Sequence, residues 1–320
     1  NISFHGKTIG AVNISGSKEI NFEYQKMLST DQYEFNNFSS IQKKIEDLKK
    51  DNNLCYAIII EPISASTLKN SDDEFLKKVR ELCNRENIIL IYDEIYSGWC
   101  KTGDLFNFFS SGTIPDILVY AKSFGGGKAS ISGYTVRDSI MDKTYDNPND
   151  FSLQSSTFNG FGEESITAIE AINIIFDQKY TEKSKNNGLI IKKILGNLKM
   201  KYPNIIDEIR GTGSFQGFTV KSLFNQQIEK IITKFIPIKN YRDENFFKKI
   251  LCASIINYMY KNHNILTFGS YQTDVLFKIS PIIETKVEDL ENFEEKINKT
   301  LNEGVVNLVS DFIKYKFLKK

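Results

Sequence analysis

Cysteine, proline and histidine are scarce in this chain, with four, six and two copies among 320 residues. The cysteines, Cys55, Cys83, Cys100 and Cys252, form no CxxC pair, and His5 and His263 are the only imidazoles. That composition argues against a zinc centre and offers no disulfide framework, so the reducing cytoplasm is the expected location. Charge of one sign is also lacking: 41 basic residues face 40 acidic ones, a net +1. A nucleic-acid surface is therefore not expected. No apolar run has the length of a membrane span, and the start shows no signal-peptide pattern. No GxGxxG opens a helix after a strand, which disfavours a dinucleotide-binding dehydrogenase.

What is present is ordinary for a soluble globular protein, with 41% apolar and 25% charged residues. The length suggests about two domains. Ser39 to Lys50 places Ile41, Ile45 and Leu48 on one helical face. CYAIIIEP follows as a buried strand stopped by Pro62, and Ser71 to Arg85 repeats the helical pattern with acids in its first turn. IILIYDE is the next buried strand. Helices alternating with wholly apolar strands indicate an α/β fold with a mainly parallel sheet, in which ligands gather beyond the carboxyl ends of the strands. Residues 1–20, with Gly6, Gly10 and Gly16, read as turns around a strand. Ile131 to Val136 is a shorter strand, and a helix is expected from Glu163 and another from Gly188. The remainder, with strands at Ile265 to Phe268 and Val275 to Ile279 and a last helix from Val287, reads as a smaller α+β domain.

Two residues at strand ends carry chemical potential. Asp93 closes one apolar run and Lys122 follows the next, ahead of Ser-Phe-Gly-Gly-Gly. A lysine whose surroundings lower its pKa attacks carbonyls and forms Schiff bases, and a glycine-rich segment lets backbone approach a ligand closely. The plain alternative is a strand-end lysine reaching solvent. For Asp93 the choice is between holding a protonated ring nitrogen and capping a turn while pairing with a lysine such as Lys101. Lys128 is a weaker candidate, because no buried strand leads into it.

Five ordered segments then point to one family. FHGKTIGA (Phe4 to Ala11), AIIIEP (Ala57 to Pro62), IILIYDEIYSGWCKTGDLF, PDILVYAKSFGGG (Pro115 to Gly127) and SSTFNG (Ser155 to Gly160) resemble class III aminotransferases of the pyridoxal phosphate fold type I superfamily. Weaker echoes are IRGTGSFQG (Ile209 to Gly217) and FKISPII (Phe277 to Ile283). The resemblance implies a partial large domain over residues 1–178 that binds pyridoxal 5'-phosphate and a C-terminal small domain over residues 179–320. It implies that Lys122 carries the cofactor as an aldimine and moves a proton, and that Asp93 pairs with the pyridine nitrogen. Phe4 would stack on the ring, His5 follows it in the aromatic-His-Gly pattern, and Glu61 of the EP motif lies near the site. Thr157 would reach the phosphate of a neighbouring subunit, which implies a homodimer with shared active sites. Tyr96, after DEI, would bring a phenol near the cofactor's 3′ oxygen.

Departures from the family pattern bear on substrate. Lys278 stands where many members carry an arginine that clamps a carboxylate, supplying charge without the bidentate fork. Ser66 replaces the glutamate of an EPxxGE pattern. Both weaken the case for a glutamate-type substrate. The family's phosphate-binding loop precedes the FHG segment, so the chain is expected to be part of a longer, multidomain protein. The alternatives are a loop supplied by another chain, or lost cofactor binding. The expected activity is amino transfer between an amine or amino acid and an oxo acid or aldehyde. An aminomutase or racemase on the same fold, and a non-catalytic truncated pseudoenzyme, are the competing readings.

Overall fold

The computed structural model describes residues 2–16, 28–153, 155, 157–221, 244–271 and 274–317. The chain divides into two compact units, Asn1–Ala65 with Asn70–Glu182, and Ser66–Lys69 with Lys183–Lys320.

The first unit opens with a short helix, α1 (Ile9–Ile14), where the glycine spacing suggested a strand. Six residues are too few for periodicity to decide, and the local cap does: Thr8 Oγ1 accepts the Ala11 N–H at 3.3 Å. Residues 17–20 of that stretch lie outside the described residues. Helix α2 (Phe38–Lys50) starts where Asn37 Oδ1 accepts the Ser40 N–H at 3.1 Å, and it buries Ile41 and Ile45. Helix α3 (Asp73–Glu86) sets Asp73 and Glu74 against the positive end of its dipole and buries Phe75, Leu76, Val79, Leu82 and Cys83. It ends at Asn87, one of the few residue types that readily adopt the left-handed conformation found there.

These helices accompany a four-stranded sheet in the order β1 (Ala57–Ile60), β2 (Ile89–Asp93), β3 (Ile117–Tyr120) and β4 (Gly133–Val136). The first three strands are parallel, and β4 returns antiparallel along β3. Asp116 fastens this arrangement at the start of β3. Its carboxylate accepts the Leu90 N–H at 2.7 Å and Arg80 Nη1 at 2.8 Å, with Arg137 Nε at 3.0 Å. Register then fixes the other end of the sheet. Ile60 pairs with Tyr92 and Asp93 with Val119, so Glu61, Asp93 and the segment leading to Lys122 share one carboxyl edge. Helices α4 (Phe108–Ser111), α5 (Asp138–Thr144) and α6 (Gly162–Asp177) complete the unit.

Helix α7 (Tyr180–Lys201) begins eight residues before the expected Gly188. That glycine is an interior helical residue, and a Cβ on it would lie 2.7 Å from the backbone of Gly213. It serves close approach, not initiation. The second unit's sheet is antiparallel throughout, in the order β5 (Ile206–Thr212), β6 (Phe215–Val220), β8 (Val275–Ile279), β7 (Phe268–Tyr271). Helices α8 (Glu244–His263) and α9 (Val287–Asn302) share its apolar core with α7, through Leu195, Leu198, Ile255, Met259, Phe277 and Ile297. The last helical stretch is two helices, since Gly304 at φ +77° separates α9 from α10 (Gly304–Phe317).

Candidate active site

Asp93 is 6% exposed and Glu61 7%, so each carboxylate needs partners in place of water. Asp93 Oδ1 accepts the Ile95 N–H at 3.0 Å, and Oδ2 lies 2.8 Å from His5 Nδ1. Its partner is thus a histidine and not Lys101. Glu61 accepts from two backbone donors, the Phe4 N–H at 2.8 Å and the Ala65 N–H at 3.0 Å. Burial pushes the Glu61 carboxyl up to about 7, against the pull of His5 and of those two N–H groups.

Lys122 sits at φ +51°, in the left-handed region, at the start of a short 3-10 turn (Lys122–Gly125). A left-handed backbone costs a residue with a Cβ about 1–2 kcal/mol. Such geometry persists where packing over-determines it. Here Phe124 stacks on Trp99 at 5.1 Å and meets Tyr120 edge-on at 4.9 Å. Lys122 itself remains exposed, with Nζ 4.9 Å from the centroid of the Tyr96 ring. Partial burial lowers its ammonium below the ordinary lysine value, while Asp93 and Glu61 pull the other way. The result is a reachable amine whose ammonium is lowered by partial burial, at the same strand edge as two buried carboxyl groups.

The segment that carries Phe4 and His5 is held from several sides. The His5 N–H donates to Ser15 Oγ at 2.9 Å, the Gly16 N–H donates to the Ser3 carbonyl at 3.0 Å, and Gly6 turns the chain at φ +124°. Ser15, which the sequence reading did not single out, is therefore part of the site's support. Glu94 was also passed over. It is fully buried, and its carboxylate accepts from the Ser97 hydroxyl and from the Asn107 and Phe108 N–H groups at 3.1, 2.6 and 3.2 Å. An acid inside an apolar strand end was the available signal. Burial pushes this carboxyl up to about 7 as well.

The remaining candidates are exposed residues of the first unit or belong to the second. Thr157 is exposed in the turn 157–160 that precedes α6, and Lys128 is exposed after the glycines. Lys278 belongs to the second unit, on β8. It is 5% exposed, with Nζ 5.8 and 6.0 Å from the ring centroids of Phe215 and Phe268.

The chain matches the family model for class-III aminotransferases over residues 1–243. It belongs to the class III aminotransferases. Acetylornithine aminotransferase of Prochlorococcus marinus is 30% identical over 234 residues, covering 72% of this chain and 54% of that protein. Aminotransferase PigE of a Serratia species is 25% identical over 314 residues, covering 91% of this chain and 36% of that protein. The chain thus spans about half, or less, of the length of these relatives. Among solved structures, a transaminase of the marine bacterium Virgibacillus superposes with a TM-score of 0.78 at 17% identity, over 98% of this chain and 68% of that one. The ornithine aminotransferase of Toxoplasma gondii, described with partial PLP occupancy at its active site, gives 0.75 at 22% identity over 98% and 64%. The fold is therefore the fold type I aminotransferase fold, and class III aminotransferases are enzymes that use pyridoxal 5'-phosphate. The residues at the carboxyl edge fit that cofactor in kind: an accessible amine of lowered pKa, and a buried carboxyl group whose field reaches it. Among the described residues no helix is long and apolar enough to cross a membrane.

Proposed function

We propose that this chain is the catalytic part of a pyridoxal phosphate-dependent aminotransferase that moves an amino group from an amine or amino acid to an oxo acid or aldehyde. The observation that carries this reading is the meeting of Glu61, Asp93 and Lys122 at one sheet edge, with Lys122 exposed and its ammonium lowered. Residues 1–178 are assigned to cofactor binding, and residues 179–320 to the C-terminal small domain.

Bound pyridoxal phosphate supplies an electron sink that makes the donor's Cα–H acidic. Lys122 Nζ would hold the cofactor and would take and return the proton at the donor carbon. Asp93 would accept a hydrogen bond from the ring nitrogen. Phe4 offers the flat apolar face, and Glu61 fixes that residue by accepting its backbone N–H. Tyr96 presents its ring to the Lys122 amine. Thr157 is assigned to the phosphate across a homodimer, a role that suits its exposure. Lys278 is assigned to a substrate anion as a point charge, with less geometric discrimination than an arginine.

The test is reconstitution with pyridoxal phosphate, borohydride reduction and peptide mass analysis. A pyridoxyl group on the Lys122 peptide is expected, together with amino transfer to an added oxo acid. Pyridoxyl on another lysine, or none, would sink the reading. Retention of the amino group within the same substrate would point to the mutase chemistry instead.

A further inference from the structure

Lys122 Nζ lies 4.9 Å from the centroid of the Tyr96 ring, inside the range of about 6 Å over which a ring face attracts an ammonium. The neighbouring carboxyl groups are engaged elsewhere. Asp93 directs Oδ2 to His5 and Oδ1 to the Ile95 N–H, and Glu61 directs Oε2 to the Phe4 N–H and Oε1 to the Ala65 N–H, which leaves the ring, not a carboxylate, against Nζ. Tyr96 also belongs to a turn held on both sides. The Ile95 N–H is bonded to Asp93, the Ser97 hydroxyl donates to the Glu94 carboxylate at 3.1 Å, and the Gly98 N–H donates to the Glu94 carbonyl at 3.0 Å. A Cβ on Gly98 would meet the Phe106 ring at 2.8 Å, so the turn is closely packed from outside. Burial pushes the Tyr96 phenol above its ordinary value, so a neutral ring faces the amine. The charged groups acting on Nζ are Asp93, at the end of β2, and Glu61, after β1; from α6, packed on the same turn, apolar Ala171 faces Gly126.

We infer that Tyr96 is a catalytic residue of the reaction carried by Lys122: its ring face is the resting place of the lysine's amine whenever that amine is free, holding it as ammonium at the strand edge between one proton transfer and the next. The attraction runs between the negative ring face and the positive Nζ, so it exists only while the lysine is protonated. It therefore opposes the burial that lowers the ammonium, and acts on the same side as Asp93 and Glu61. An exposed lysine has a long, freely turning side chain, and this contact narrows where its amine waits. A ring that served only to shield the lysine would have the opposite effect, because its removal would admit water and raise the ammonium toward its ordinary value. This inference rests on the reading of Lys122 as the lysine that holds the cofactor.

The deciding experiment is trace acetylation of the cofactor-free chain from about pH 7 to about pH 10.5, across the range in which lysines titrate. Chymotryptic peptides separate Lys122 from Lys128, the exposed control. Free amine reacts and ammonium does not, so the profile reads the fraction of Lys122 in each form. Tyr96→Phe keeps the ring and is expected to leave Lys122 reactivity within about 1.5-fold of wild type at every pH. Tyr96→Leu is expected to move the profile to lower pH by about half a unit, making Lys122 about threefold more reactive below its midpoint, with Lys128 unchanged. A shift to higher pH in Tyr96→Leu, or none, overturns the inference, as does Tyr96→Phe behaving like Tyr96→Leu. Where Tyr96→Leu does not fold, pentafluorophenylalanine installed at position 96 keeps the shape of a ring and reverses its charge pattern. It is expected to shift the profile to lower pH, and a profile matching Tyr96→Phe overturns the inference. Borohydride trapping of pyridoxal phosphate is run beside these profiles. No pyridoxyl group on Lys122, together with the expected acetylation profiles, would defeat the functional reading and leave the contact between ring and amine standing.

Discussion

Strand β2 of the first unit ends in Asp93, followed by Glu94, both shielded from solvent, whereas β6 and β8 of the second unit bury Phe218 and Phe277 as a stacked pair 5.0 Å apart. These positions bury side chains of opposite character, on sheets that each also hold the other kind, such as Leu90 on β2 and Lys278 on β8. Buried phenylalanines stabilise by leaving water, and nothing further is required of their neighbours. Buried carboxylates stabilise only when each oxygen finds a donor, so the first sheet must surround them with Ile95, Phe4, Ala65, Asn107 and Phe108 N–H groups. The difference teaches where chemistry resides. A site of buried acids beside a reachable lysine is retained at a cost in stability, and a phenylalanine core carries no such constraint.

The largest effect that could break this comparison is on Lys122. Lys122→Ala is expected to lower transamination by about 1000-fold or more, since it removes both the covalent holder and the proton carrier. Its folding midpoint, read from the fluorescence of the single tryptophan, Trp99, should hardly move, because the lysine is exposed. Lys122→Gly should be equally inactive and slightly more stable, by about 1 kcal/mol, as the left-handed backbone suits glycine. A large stability loss in either variant would place Lys122 in the framework and not in the chemistry.

The second sheet supplies the opposite case. Phe277 is fully buried against Phe218, and Phe277→Ala is expected to cost about 3–5 kcal/mol in urea unfolding of the second unit. Pyridoxal labelling of Lys122 should persist under conditions where that variant stays folded. A cost below about 1 kcal/mol would mean that the second unit's core is looser than its packing indicates.

Much of this architecture was legible in the residues. The apolar runs at Ala57 and Ile89 gave the parallel strands, and the acids before Phe75 gave the start of α3. Asp93 and Lys122 stood out as polar groups at the ends of buried strands. His5 as the partner of Asp93 was not legible, because the two residues are 88 positions apart and only folding brings them to 2.8 Å. The same holds for Asp116, whose carboxylate ties Arg80 of α3 to Leu90 and Arg137. The helix at Ile9–Ile14 was missed because a side-chain cap, not periodicity, decides so short an element.

A smaller effect sharpens the comparison through pH. The Glu94 carboxyl is raised from 4.5 to about 7 by burial, so the folded protein holds its proton more tightly than the unfolded chain does. Stability from this group is full below about 4.5 and is lost as pH rises through about 7. The loss is on the order of 3 kcal/mol by linkage. Glu61 shares both direction and window, so Glu94→Gln should remove about half of the fall in urea midpoint between about pH 5 and pH 8. The slope is the readout, since the amide also disturbs the bonds to Asn107 and Phe108. An unchanged slope would show that Glu94 titrates alike in the folded and unfolded chain.

The smallest effect sets the scale for the first unit. Asn37 caps α2 by accepting the Ser40 N–H at 3.1 Å, and the helix behind it buries only Ile41 and Ile45. Asn37→Ala leaves that N–H to water and is expected to cost about 1 kcal/mol, with no dependence on pH between about 5 and 8. The cap bonds an uncharged donor to an uncharged acceptor, and the same amide donates to the exposed Glu34 at 2.7 Å, so Asn37 touches no buried acid and should not respond to cofactor. Urea unfolding at the two pH values measures both quantities in one experiment. If Asn37→Ala cost as much as Glu94→Gln, and with the same pH slope, the buried carboxylates would be no different in kind from an ordinary helix cap. A flat, small cost for Asn37 beside a sloped one for Glu94 locates the first unit's unusual energetics at the strand edge that carries Asp93 and Lys122.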